Sequence, residues 1–123
     1  MEENTGFTLK QLAEEDRPRE KLQLKGRQSL TNAELLAILI GRKKKKETAV
    51  ELSQRILLHY RNNLDVLGRL TIDDLLKFNG IGPAKAITII AALELGRRRN
   101  LAEAEQKVQI KSSRDIYEVM YPL

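Results

Sequence analysis

Leu75-Leu-Lys-Phe-Asn-Gly-Ile-Gly-Pro-Ala-Lys-Ala-Ile-Thr-Ile-Ile90 reads as helix, tight turn, helix. Thr71 caps the first helix, with Asp74 three residues on as an acidic variant of the capping box. Gly80 stands where that helix should stop, in a left-handed conformation that glycine adopts without strain. Gly82 falls at the N-cap of the second helix. Pro83 follows at its first position, where a missing N–H costs nothing and φ is preset. The backbone N–H groups of Gly82, Ala84 and Lys85 then lie at a helix N-terminus. Such a terminus carries donors without intrahelical partners and a partial positive charge, so it attracts anions. A side chain at position 80 or 82 would hold a phosphate away from those donors. Ile81, between the glycines, is placed to anchor the turn in the core.

The pattern, Gly80-Ile-Gly82 between apolar flanks with Ala86 four residues after the second glycine, resembles the helix-hairpin-helix motif. That resemblance implies a grip on a nucleic-acid phosphate without base reading. A dinucleotide-binding fold also sets glycines before a helix, but it needs a preceding strand. Residues 72–77 are short, open with a cap and have helical spacing, which excludes it. The competing structural reading is a plain turn between two packed helices, with Gly80 as an ordinary C-cap.

The 123 residues suffice for one domain with a modest core. Leu, Ile and Ala supply most of the apolar content, which favours helices. No apolar run approaches the roughly 20 residues that cross a membrane. No secretory signal is visible, since residues 1–4 are acidic and no apolar stretch follows. There is no cysteine, hence no disulfide framework and no thiolate site, and a cytoplasmic location is expected. Net charge is +5 and unevenly placed. Residues 1–20 are acidic on balance, Arg42-Lys-Lys-Lys-Lys46 is a run of bases, and Arg97-Arg-Arg99 is another. A basic domain with clustered cations suits a polyanion.

Taken in order, residues 1–6 are expected to be disordered, and residues 7–13 fit no single template. Asp16 reads as an N-cap with Pro18 in the first turn of a helix that runs to about Lys25, where Gly26 stops it. Leu22 and Leu24 are its inward candidates. Thr31-Asn-Ala-Glu34 is a full capping box, Leu30 can staple the start of that helix, and Gly41 ends it. The next helix is read from Glu47 to about Tyr60, with Ala49, Leu52, Ser53, Ile56 and Tyr60 on one face. Asn62-Asn63 breaks it. A short linking helix over 65–69 brings Leu64 and Leu67 inward. The longest helix is read from Pro83 to about Arg99, with Ala86, Ile89, Ile90 and Leu93 as its stripe and Ile87 and Leu95 widening it. Residues 100–106 read as a polar linker, residues 107–111 as a strand by alternation, and residues 114–121 as a last helix capped by Ser112 or Ser113.

Thr31-Asn-Ala-Glu-Leu-Leu36 and Thr71-Ile-Asp-Asp-Leu-Leu76 share a capping threonine, an acid three residues on, and two leucines. Each precedes a glycine-containing loop and a longer helix. This is read as two helix-hairpin-helix units, the first degenerate, with both leucine pairs in one core about a pseudo-two-fold. One hairpin would grip a duplex through amides, and the other through Lys43, Lys44, Lys45 and Lys46.

Arg17-Pro-Arg-Glu-Lys-Leu22, Ser29-Leu-Thr-Asn-Ala-Glu-Leu-Leu-Ala-Ile-Leu39, Gly80-Ile-Gly-Pro-Ala-Lys-Ala86 and Ala91-Ala-Leu-Glu-Leu-Gly-Arg-Arg98 together resemble the N-terminal region of the RadC-type DNA repair protein family. The resemblance implies an all-α helical bundle of tandem helix-hairpin-helix units, like RuvA domain 2, over residues 16–100. It makes residues 1–15 a flexible N-terminus. Residues 101–123 become a linker and the truncated start of a JAB/MPN metalloprotease-like domain, resembled by Ile110-Lys-Ser-Ser-Arg-Asp115. The chain departs from the family in its lysine-rich loop after Gly41 and in lacking the JAB metal motif. The implied function is non-specific binding of double-stranded or branched DNA through Gly80, Ile81, Gly82, Ala84 and Lys85; Lys43–Lys46, where the chain departs from the family, is read as a second grip from its charge. A monovalent cation bridging hairpin carbonyls and phosphate also follows from the resemblance.

No catalytic constellation is visible. A zinc site needs about three protein ligands, and the chain offers no cysteine and one histidine, His59. Asp73 and Asp74 sit in a first helical turn, where capping and the dipole explain them. No catalytic residue, metal or cofactor is expected for this stretch. Arg97-Arg-Arg99 reads equally as a helix end complementing the dipole or as a phosphate contact. Aromatics are too few for a stacking platform. The alternative function is a protein-interaction module that positions a JAB-like domain on a partner.

Overall fold

The computed structural model of the chain describes residues 9–41 and 47–117, with side chains described over 16–41 and 47–108. Every regular element among them is helical, as expected of an all-α domain. The elements are α1 (Leu9–Lys25), a 3-10 turn (Arg27–Ser29), α2 (Asn32–Ile40), α3 (Ala49–His59), α4 (Leu64–Leu67), α5 (Ile72–Leu76) and α6 (Pro83–Tyr117). The chain divides into two compact units, one ending at Ile90 and the other opening at Ala91. The expectations for residues 1–6, the lysine run at 42–46 and the last residues of the chain lie outside the described residues.

Three threonines start three helices of the first unit by the same device. Thr31 Oγ1 accepts from the Glu34 N–H at 3.2 Å, and the Thr31 N–H donates to Glu34 Oε1 at 2.8 Å. Thr71 and Asp74 repeat the exchange at 2.9 and 3.1 Å. Thr48 and Glu51 form a third box that the sequence reading passed over, so α3 opens at Ala49 rather than Glu47. Each box satisfies donors that a helix start leaves without partners.

The core grows from the faces these starts set. Ala33, Leu36, Ala37 and Ile40 of α2 are buried, as are Ala49, Leu52, Ile56 and Leu57 of α3, and the two helices lie against each other. The α3 face is the predicted one, joined by Leu57, while Tyr60 is only half-buried. Lys21 of α1 reaches Glu34 at 3.0 Å, pinning α1 to the start of α2. Leu30, Leu67, Leu75, Ile81, Ala86 and Ile89 are buried as well.

Several expectations are corrected. Helix α1 begins at Leu9, well before Asp16, and carries Pro18 inside it. Residues 9–15 are mostly good helix formers, and a single proline forfeits one backbone bond without cancelling that preference. Leu24 faces solvent, as does Leu64, which sits in the first turn of the very short α4 while Leu67 turns inward. Ile87 and Leu95 are exposed, so α6 buries one stripe and not two. Of each leucine pair only one is buried, Leu36 in α2 and Leu75 in α5; Leu35 and Leu76 are exposed. The linker, the strand and the separate last helix do not form: α6 continues through residues 100–117. Residues 100–106 are rich in Ala, Leu, Glu and Gln, which propagate a helix whether or not it has a core to face.

Candidate nucleic-acid interface

The turn between α5 and α6 is tied down residue by residue. α5 stops at Leu76, earlier than Gly80, and its end tightens: the Lys77 N–H donates to the Asp74 carbonyl at 3.4 Å and the Phe78 N–H to the Leu75 carbonyl at 3.1 Å. The Ile81 N–H then closes on the Phe78 carbonyl at 3.1 Å. Gly80 has φ +104°, in the half of conformational space that side chains disfavour, so glycine is required there. Ile81 is 5% exposed and anchors the turn in the core, as predicted. The Gly82 carbonyl accepts the first helical bond, from the Ala86 N–H at 3.0 Å, which makes Gly82 the N-cap and Pro83 the first helical residue.

This leaves three backbone donors close together in sequence. The N–H groups of Gly80, Gly82 and Ala84 have no acceptor among the described residues. Ala84 is exposed, and Gly80, Gly82 and Lys85 are half-buried. A Cβ built on Gly82 meets nothing within 4 Å, and its φ is not in the left-handed range. Neither strain nor internal crowding therefore demands glycine at 82. Its missing side chain leaves the turn open to a group approaching from outside.

Helix α3 braces the turn from one side with two residues a single turn apart. Arg55 Nη2 donates to the Asn79 carbonyl at 3.2 Å. The same guanidinium grips Glu47 in a fork, Nε to Oε2 at 3.1 Å and Nη2 to Oε1 at 2.9 Å. Hydrogen bonding to the Glu47 carboxylate raises the Arg55 pKa further above its usual value. His59 sets its ring edge-to-face on Phe78, 5.5 Å between centroids, and Tyr60 joins both. The sequence reading missed Arg55 and Glu47. No local spacing signals them, since Arg55 lies 8 residues from Glu47 and 24 from Asn79 in the chain.

The other candidates separate cleanly. Asp74 is engaged in its cap, and hydrogen bonding to Thr71 holds its carboxyl below the usual range. His59 belongs to the ring cluster, and no group of three metal-ligating side chains occurs among the described residues. Arg97, Arg98 and Arg99 do not end a helix, which removes the dipole reading. Arg97 and Arg98 both bond Glu94 at 2.9 Å, and Arg99 bonds Glu103 at 3.2 Å. Those bonds, from Arg97 first and Arg98 second, hold the Glu94 carboxyl down at about 2. A cleft of about 280 Å³ is lined by Arg17, Pro18 and the capping residues Glu34, Thr48 and Glu51, whose capping groups are already in use. No described helix is long and apolar enough to cross a membrane.

Comparison with known proteins covers nearly the whole chain. A family profile described as UPF0758 N-terminal matches residues 9–87, a span that includes the hairpin turn. A UPF0758 protein of Flavobacterium johnsoniae is 48% identical over 121 residues, 98% of this chain and 52% of that protein. One of Porphyromonas gingivalis is 47% identical over 117 residues, 94% of this chain and 52% of that protein. One of Methanosarcina mazei is 43% identical over 111 residues, 90% of this chain and 48% of that protein. The chain thus spans about half the length of these relatives. No solved structure matches it significantly. By the extent of the profile match and the level of identity, the chain belongs to the UPF0758 N-terminal family.

Proposed function

We propose that this domain binds double-stranded or branched DNA through backbone phosphates without reading bases, using a helix-hairpin-helix grip. The N–H groups of Gly80, Gly82 and Ala84 are the donors, Ile81 holds the turn rigid, and Lys85 adds charge. Lys43, Lys44, Lys45 and Lys46 are the second contact. The observation that carries this reading is the coincidence of three acceptor-free amides with a glycine, Gly82, that the fold itself does not need. Phosphate oxygens are acceptors of the right charge for a helix start. A net charge of +5 favours approach to a polyanion. Contacts of this kind position a protein on a duplex and carry no sequence information. In the full-length protein the grip would serve as the N-terminal module of a RadC-like repair-family protein, beside a JAB/MPN-like domain.

The test is a titration of a short labelled duplex, followed by fluorescence anisotropy, with wild-type protein and Gly82→Glu. Wild type is expected to bind in low salt and to weaken linearly in log–log salt plots, as counterion release requires. Gly82→Glu should abolish binding while leaving the helical circular dichroism unchanged, because its Cβ points into open space. A folded mutant that binds like wild type would remove the hairpin from the interface. Absence of wild-type binding would turn the reading to the protein-interaction module.

A further inference from the structure

The Arg55–Asn79 contact acts on the hairpin through one rigid peptide. The carbonyl of Asn79 and the N–H of Gly80 belong to the same planar unit, and in a trans peptide they point in opposite directions. Arg55 holds that carbonyl oxygen against α3 at 3.2 Å. The Gly80 N–H is thereby turned away from α3. Without the contact little restricts this peptide on its C-terminal side, because Gly80 has no Cβ and sits at φ +104°. The guanidinium is itself fixed, since its Nε and Nη2 are bound in a fork by Glu47. One turn along α3, the His59–Phe78 ring contact holds the residue before Asn79. Resting on the phosphate-binding reading above, we propose that Arg55 is a positioning residue of the hairpin: it presets the Gly80 N–H for an incoming phosphate and does not itself contact the nucleic acid. Glu47 supports it by orienting the guanidinium plane. Lysine at 55 could reach the carbonyl or the carboxylate, but it has no planar fork to hold both in one geometry.

The experiment pairs Arg55→Met and Arg55→Lys with wild type in two measurements. The first is the Gly80 amide resonance and its hydrogen exchange in the free protein. The second is duplex affinity across a salt series. Arg55→Met should shift the Gly80 amide and speed its exchange. It should weaken duplex binding roughly three- to tenfold, the loss expected when a preset group becomes mobile. The salt slope should not change, because the number of phosphates contacted is the same. Arg55→Lys should fall between. An unmoved Gly80 amide, or unchanged affinity, would overturn the proposal. A slope reduced by about 0.9 would also overturn it, making Arg55 a direct phosphate contact. A lower melting temperature with unchanged affinity of the folded protein would reduce Arg55 to a structural role. If wild type binds no duplex, the phosphate reading fails on its own, and the Gly80 amide still decides whether Arg55 sets the turn.

Discussion

Leu36 and Leu75 are the buried leucines of two pairs that align in sequence, yet they do not align with each other: Leu36 is the second of its pair and Leu75 the first. One residue is about 100° of rotation on a helix. The two capped segments therefore turn different faces to their surroundings, although their first four residues do the same capping work.

Truncation at these four positions should divide them by burial and not by alignment. Leu36→Ala and Leu75→Ala should each cost about 2–4 kcal/mol, since each empties a closed site. Leu35→Ala and Leu76→Ala should cost less than about 1 kcal/mol, because both side chains already meet solvent. Urea denaturation monitored by circular dichroism measures all four. Equal losses within each pair would restore the strict repeat.

Acid should loosen the helix starts in a defined direction. Glu34 has its carboxyl held below its ordinary value of 4.5 by hydrogen bonding to Thr31 and then to Lys21. Asp74 is held below 3.8 by Thr71. A depressed folded-state pKa means the ionised form is favoured by folding. The stabilisation is fully present above the ordinary value and is lost as pH falls through the folded one. Stability should therefore be level in these groups above about pH 5 and decline below pH 4.5. Glu34→Gln, which keeps the capping geometry but cannot ionise, should make the decline shallower. An identical acid profile for the mutant would disprove the role of Glu34.

Ser53 is fully buried on α3, and its hydroxyl has no hydrogen-bond partner among the described residues. A buried donor without a partner costs free energy that alanine would not incur, and alanine is also the better helix former. Ser53→Ala should raise stability by about 1 kcal/mol, read as a higher urea midpoint with unchanged slope. A destabilised mutant would show that the hydroxyl is satisfied in solution.

Local signals were legible in the sequence and longer-range ones were not. Thr31, Thr71, Gly41, Gly82 and Pro83 were placed correctly because caps and turns are decided within four residues. The third box at Thr48 obeys the same rule, but the adjoining lysine run drew the helix start toward Glu47. Which leucine of a pair is buried depends on neighbours far along the chain, so a Leu-Leu pair alone does not settle it. The polarity of residues 100–106 suggests a linker, yet polarity alone does not end a helix. The i, i+4 pairing of Arg99 with Glu103 and the helix propensity of residues 100–106 both favoured continuation. The hairpin turn was legible as a motif. Its brace was not, because Arg55 meets Asn79 only after α3 and the turn are folded against each other.

The most direct measurement is an NMR titration of the domain with a short DNA duplex at two salt concentrations. The account predicts amide shifts concentrated at Gly80, Gly82, Ala84 and Lys85, a second group in residues 42–46, and shrinkage of both at high salt. Unmoved hairpin amides at low salt, with or without shifts elsewhere, would contradict it.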